Sequence, residues 1–287
     1  DVTIYAFKSR PVSSVTQQTG FIETNNEDVN RLFRNAVYGQ LSNYFTTATD
    51  CPQRDERLFW TGDLQVFAKT ALYNFDAVAF QNGLEQFMAA GTLQNGYTGS
   101  VPTLGTDHWA TGWSDAPVIV AWGLYEQTGD AAILADYWPA LVRYMDFLKE
   151  HERAPYQAHG IDNHAFSDWL AFQGTGLEVM ADSYYGYVTQ LMTAMAEALG
   201  KTEEAAYYGD YAENIKQTYL KTHVAYELPD LDVPLSLFDQ PTTKEPGASN
   251  VITNDLAGSR GRYLRVKVLE TGAGVYNESQ SRVQMME

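Results

Sequence analysis

The sequence predicts a mainly α-helical protein of successive helical hairpins, with a short β-rich segment at its C-terminal end. Three observations predict it. Apolar residues recur at helical spacing through most of residues 23–228. The joints between those stretches pair a helix-ending glycine with a helix-opening acidic residue or threonine. From residue 229 the period breaks into prolines and then into alternation. With 287 residues, 45% of them apolar and 13% aromatic, the chain has enough material to bury a sizeable core.

Residues 1–22 read as extended: TIYAF alternates in polarity and SRPVSS is a cluster of helix breakers. Asn26 is placed to cap the first helix, with Glu27 and Asp28 in its opening turn and Val29, Leu32, Phe33, Ala36, Val37 and Leu41 following at helical spacing. Comparable amphipathic patterns run through 64–73, 76–90, 116–128, 130–149, 180–199 and 203–220, so about seven helices are expected. QTGDAA and ALGKTEEAA are the joints between two pairs of them. Between other helices lie two long loops rich in aromatics and carboxylates, QNGYTGSVPTLGTDHWATGWSDAP and APYQAHGIDNHAFSDWLAFQGTG. Loops of that length inside a compact helical domain are more often functional than passive. In the tail, LPDLDVPLSLFDQPTTKEPGASN has no helical period, and GRYLRVKVLETG and SRVQMME alternate like strands around a GAGVYNE turn. That tail is too short for a β-sandwich of its own, which takes about 100 residues, and reads as part of an accessory β-domain.

The formal net charge of -17 argues against nucleic acid or an anionic membrane surface as partner, since either is repelled over most of the surface. A neutral ligand such as a sugar meets no such repulsion. Cys51 is the single cysteine, which excludes an intrachain disulfide and a CxxC metal cage. No apolar run approaches the roughly 18 residues of a membrane span. His108, His151, His159, His164 and His223 have no HExxH or paired-ligand spacing and read as polar contacts, so neither a metal nor another cofactor is expected.

The stretch DCPQRDERLFWTGD crowds Asp50, Asp55, Glu56 and Asp63 around the mouth of a helix, together with Arg54, Arg57, Phe59 and Trp60. Neighbouring negative charges and apolar rings both disfavour ionisation, so at least one of these carboxyls is expected to hold its proton more tightly than usual. A protonated carboxyl is what the cleavage of a glycosidic bond requires, and the tryptophan ring offers a flat apolar face to a sugar. The same residues also fit a solvated helix cap with arginine–carboxylate pairs. Trp109, Trp113 and Trp169 fit core anchors equally well. A calcium site from Asp50, Asp55 and Asp63 lacks the alternating ligand spacing of an EF-hand loop.

The run from Gly20 to Phe67, GFIETNNEDVNRLFRNAVYGQLSNYFTTATDCPQRDERLFWTGDLQVF, resembles the signature of the bacterial α-L-rhamnosidase family of inverting glycoside hydrolases, whose motif is close to TDCPQRDERLGWTGDAQ. Phe59 stands where that motif has Gly, and Leu64 where it has Ala. TGWSDAPVIVAWGLYEQTGD and FSDWLA are similar to further segments of the family, so the resemblance covers roughly residues 20–220. It implies an (α/α)6 toroid of six helical hairpins flanked by β-domains, and a rhamnose-containing glycoside or polysaccharide as partner. Position by position, it implies Glu56 as the general acid, Asp50 and Asp63 as carboxylates on the rhamnose hydroxyls, Arg54 in the pocket wall and Trp60 packed on the sugar's apolar face. Trp113, Asp115, Asp168 and Trp169 carry over as further substrate-binding residues. The 6-deoxy methyl group of rhamnose is a natural target for such rings.

Inversion needs a second carboxylate as base, about 6.5–9.5 Å from the acid. In the family that base lies on a later hairpin. At roughly 28 residues per helix and loop, twelve helices need about 340 residues, so the toroid is expected to be incomplete here and the chain to be a portion of a longer enzyme. Glu227, Glu245, Glu270 and Glu278 match no motif for the base. Two alternatives stay open: another six-hairpin hydrolase of different sugar specificity, or a non-catalytic rhamnose-binding fragment. A periplasmic or secreted location suits a glycan degrader, and the single cysteine is compatible with the cytoplasm.

Overall fold

In a computed structural model of the chain, residue 6 and residues 12–104, 109–158 and 166–224 are described. They fall within the first of two compact units, residues 1–226. The second unit, residues 227–287, lies outside the described residues, and so do the expected β-rich tail and its four glutamates.

Among the described residues there are seven α-helices: α1 (Glu27–Asn43), α2 (Thr61–Asn74), α3 (Val78–Asn95), α4 (Ala116–Thr128), α5 (Ala131–Glu150), α6 (Leu177–Ala198) and α7 (Thr202–His223). A two-stranded hairpin, β1 (Tyr44–Phe45) and β2 (Thr47–Ala48), follows α1 and was not expected from the sequence; Thr46 turns its corner at φ 65°. Local chemistry sets the helix ends. The Asn26 carboxamide oxygen accepts from the backbone N–H of Asp28 at 2.9 Å and of Val29 at 3.4 Å, satisfying two of the free donors of α1. Gly129 ends α4 at φ 69°, a left-handed conformation in which a side chain is strained. One residue on, the Asp130 carboxylate caps α5 by accepting from Ala132 N at 2.9 Å. The extended stretch before α1 clamps the α2–α3 joint: Thr19 N and Gly20 N donate to the carbonyl of Asn74, and Asp76 N donates to that of Gln17.

Short joints make α2/α3, α4/α5 and α6/α7 antiparallel pairs. α4 packs against both α2 and α6, while α3 packs against α5. The even-numbered helices therefore stand side by side in one layer, pointing the same way, with α3 and α5 packed together behind α4. α4, enclosed on all sides, is apolar all round and buried from Ala116 to Ala121. One core, around Phe59, Leu72, Phe75 and Met88, joins α1–α4; a second, around Leu141, Tyr144, Tyr185, Met192 and Ile215, joins α3–α7. Burying each such side chain contributes about 1.5–3 kcal/mol. Between the helices of the second core, the buried Asp182 accepts two bonds from the Arg153 guanidinium, at 3.0 and 2.5 Å, one from Ala158 N at 2.8 Å, and contacts His223 Nε2 at 2.6 Å. No helix among the described residues is long and apolar enough to cross a membrane.

Candidate active site

The acidic stretch is a loop stapled at its base. Asp50 N donates to the carbonyl of Leu58 at 3.1 Å, and Leu58 N donates to Asp50 Oδ1 at 3.0 Å. Arg57 takes φ 52° to make the return, and Phe59, 1% exposed, anchors it in the core. Inside the loop the polar groups form a chain. The Cys51 thiol donates to Asp50 Oδ2 at 2.9 Å, and Arg54 Nε lies 3.0 Å from both Cys51 Sγ and Glu56 Oε2. At its end, Trp60 Nε1 donates to Glu56 Oε1 at 2.8 Å. This explains why rings and charges share one segment: the indole holds the carboxylate.

Asp63 sits in the first turn of α2, whose start is tied down by Thr61 N and Oγ1, both donating to the Ser100 carbonyl. Its carboxyl is pushed above the usual carboxylate range, first by burial, against the pull of its own backbone N–H, and further by the charges of Asp50 and Glu56, with Arg54 opposing. The crowding expected from the sequence therefore acts on Asp63. Asp55 points to solvent with only a 3.9 Å contact to Arg57, so the calcium grouping of Asp50, Asp55 and Asp63 does not assemble. Asp50, Cys51 and Glu56 do bring ligand atoms within 4.8 Å of one another, but the Arg54 guanidinium already supplies a cation to that group.

The two long loops meet this constellation from the starts of α4 and α6. Trp113 lies over Gly62, where a Cβ would come within 2.5 Å of the indole, so only glycine lets α2 and this ring approach. Asp115 is 2% exposed; its Oδ2 accepts from Gly112 N at 2.6 Å and its Oδ1 from the Tyr144 hydroxyl at 2.7 Å. Its carboxylate holds the turn that presents Trp113. Asp168 likewise accepts from Thr175 N at 2.9 Å and Thr175 Oγ1 at 2.8 Å, closing the second loop. Trp169 stands 64% exposed at the mouth. Phe166 touches all three tryptophans, with ring centroids 5.6 Å from Trp60, 4.7 Å from Trp113 and 5.8 Å from Trp169. Trp109, by contrast, packs edge-on to Phe147 at 4.9 Å, as a core anchor does. Of the histidines, His151 and His223 make polar contacts, to the Phe147 carbonyl and to Asp182; His108, His159 and His164 lie outside the described residues.

A cavity of about 640 Å³, within the range of small-ligand sites, opens here. Its walls include Asp50, Asp63, Gln65, Trp113, Asp168 and Trp169. Glu56 and Trp60 stand beside it, Glu56 through the Arg54–Asp50 contacts and Trp60 through Phe166.

Residues 17–228 match the family described as bacterial alpha-L-rhamnosidase 6 hairpin glycosidase domain. The chain belongs to this six-hairpin rhamnosidase family. It is 33% identical over 241 residues to an alpha-L-rhamnosidase of Streptomyces avermitilis, covering 78% of this chain and 22% of that protein. One of Formosa agariphila is 30% identical over 223 residues, covering 72% and 24%. The structure of the Streptomyces avermitilis alpha-L-rhamnosidase complexed with L-rhamnose superposes with TM-score 0.66 at 32% identity, over 73% of this chain and 20% of that one. The rhamnosidase from Dictyoglumus thermophilum gives TM-score 0.67 at 29% identity, over 73% and 24%. The chain thus spans under a quarter of the length of these relatives. The paired layers of helices are the hairpins of the six-hairpin fold. Within this rhamnosidase domain, sequence reasoning missed Phe166, Cys51 and Gln65. Gln65 donates to the Gly112 carbonyl at 3.1 Å and the Tyr184 hydroxyl at 2.9 Å, binding α2, α6 and the loop before α4 together. Cys51 and Gln65 do lie inside the quoted motif; Phe166 carries no motif signal beyond its place before SDW.

Proposed function

We propose that this domain carries the general-acid side of an α-L-rhamnosidase active site, cleaving terminal α-L-rhamnose from rhamnosides with inversion at the anomeric carbon. The observation that carries the reading is the Glu56 carboxyl, fixed between Trp60 Nε1 and Arg54 Nε at the edge of a cavity walled by carboxylates and indoles. Glu56 protonates the departing glycosidic oxygen. Asp50 and Asp63 accept from sugar hydroxyls, and the raised carboxyl of Asp63 can also donate. Arg54 bridges Glu56 and Asp50 and offsets their mutual repulsion, and Trp60, Trp113 and Trp169 cover the apolar face and the methyl group. Asp50 is not the opposing base: its oxygen lies within 4.8 Å of that of Glu56, too close for a water between them, where inverting pairs stand about 6.5–9.5 Å apart.

One observation favours a second assignment within the same reaction: Asp63 is the carboxyl that burial inclines to keep its proton, which suits a proton donor. Hydrolysis of a panel of aryl glycosides by the chain and by its Glu56→Gln and Asp63→Asn variants, with proton NMR of the first anomer released, tests both. Turnover confined to the α-L-rhamnoside, giving the inverted anomer and reduced at least about 100-fold in Glu56→Gln, is expected. Loss of a comparable size only in Asp63→Asn transfers the acid role to Asp63. Preference for another sugar refutes the substrate assignment, and rhamnose binding without turnover leaves a binding domain.

A further inference from the structure

We infer that Asp168 is a positioning residue, a clasp that closes the 166–175 loop and so fixes Phe166 and Trp169 against Trp113 and Trp60, rather than a ligand of the sugar. The inference rests on the rhamnose-binding reading above for its consequence, though not for its geometry. Asp168 Oδ1 accepts from Thr175 N at 2.9 Å and Oδ2 from Thr175 Oγ1 at 2.8 Å, while Ser167 Oγ lies 3.2 Å from Oδ1 and donates to the Thr175 carbonyl at 2.7 Å. Ala171 N donates to the Asp168 carbonyl at 3.1 Å, so the chain turns tightly inside the clasp.

The backbone inside the clasp is held in costly conformations. Ser167 at φ 50° and Leu170 at φ 59° are side-chain-bearing residues in the left-handed region, which persist only where surrounding bonds over-determine them. The bonds to Asp168 supply that determination. They also bring the Asp168 carboxyl below its ordinary range, chiefly through the backbone and hydroxyl donors of Thr175, the direction expected of a carboxylate engaged by its own loop. The loop positions what flanks it. Phe166 on one side touches Trp60, Trp113 and Trp169 together, and Trp169 follows Asp168 directly at the cavity mouth. Thr175 is not among the residues lining the cavity, and its hydroxyl, bonded to Asp168, acts on the sugar through that carboxylate.

The test uses the full chain and its Asp168→Ala, Asp168→Asn, Thr175→Val and Asp168→Ala/Thr175→Val variants, with far-ultraviolet dichroism to verify folding. Each is titrated with L-rhamnose by calorimetry, and its near-ultraviolet dichroism, to which the site's tryptophans contribute, is recorded without sugar and compared with that of the unaltered chain. Asp168→Ala and Thr175→Val should each weaken rhamnose binding, by roughly 10- to 100-fold, the loss expected for one charge-assisted hydrogen bond. The double variant should be no weaker than Asp168→Ala, Asp168→Asn should retain part of the affinity, and each weakened variant should lose aromatic dichroism before any sugar is added. Weakening in Asp168→Ala alone, with affinity and dichroism unchanged in Thr175→Val, makes Asp168 a direct sugar ligand and overturns the inference. If the unaltered chain does not bind L-rhamnose, the functional reading fails by itself. The ligand-free dichroism of Thr175→Val then decides the clasp, a change supporting it and no change refuting it.

Discussion

Replacing Glu85 by glutamine should stabilise the protein, and the gain should grow with pH. Glu85 is fully buried on α3, and neither of its carboxyl oxygens meets a hydrogen-bond partner among the described residues. Burial holds its carboxyl well above the ordinary range. In the unfolded chain the group titrates near its reference value of about 4.3. Above that pH the unfolded chain gives up a proton that the folded protein keeps, so the folded state binds more protons and stability falls with rising pH until the folded carboxyl itself titrates. Each pH unit crossed inside that window costs about 1.4 kcal/mol. For a domain of this size one kcal/mol moves the melting temperature by roughly 2–4 °C, so the melt should fall by about 3–6 °C per pH unit from this residue alone. Glutamine keeps the shape and has no proton to hold. Calorimetric melts from pH 4 to 8 should coincide to within a few degrees at the acid end and diverge as pH rises, the variant melting higher. Parallel melting curves, or a variant less stable at every pH, would show that Glu85 is charged and partnered, and the reasoning would be wrong.

Asp182→Ala should cost about 3–5 kcal/mol, because it strips the Arg153 guanidinium and Ala158 N of a shared partner that is almost wholly buried; a chemical denaturation midpoint within error of the unaltered protein contradicts this. Gly62→Ala should destabilise by about 1–3 kcal/mol, since its Cβ would sit 2.5 Å from the Trp113 indole, and should abolish measurable rhamnose binding by displacing that ring. A melt and an affinity both unchanged would mean that Trp113 moves without consequence.

The helices were legible because their signals are local. Asn26, Gly129 and Asp130 act where the sequence places them, and the boundaries differ at both starts and ends: α2 begins at Thr61 rather than 64 and α6 at Leu177 rather than 180, while α3 runs on to Asn95 rather than 90 and α7 to His223 rather than 220. Periodicity says which residues share a face, not what covers it; Val29 and Leu32 fall on the apolar period of α1 yet are 43% and 69% exposed. The same limit applies to carboxylates. Glu56 and Asp63 were located by a motif whose spacing is itself a loop entering a helix. Asp115 and Asp168 are expected from the sequence to reach substrate; in the structure their oxygens accept from nearby N–H and hydroxyl donors while Asp168 also lines the cavity, and nothing in residue type or spacing announces those local donors. Phe166 was missed because its neighbours, Trp60 and Trp113, are distant in sequence and meet it only when the three loops converge.

The even-numbered helices all start at one end of their layer, and the groups proposed to handle sugar lie on those first turns or on the segments leading into them. The opposite ends of the same helices carry the joints. Binding chemistry and folding information are thereby written in separable parts of the chain. Insertions and exchanges in the segments before α4 and α6 are open to selection without disturbing the layers behind them. Diversification within such a scaffold should therefore appear as variation in length and composition of those two entry segments, over helices whose apolar pattern stays nearly constant.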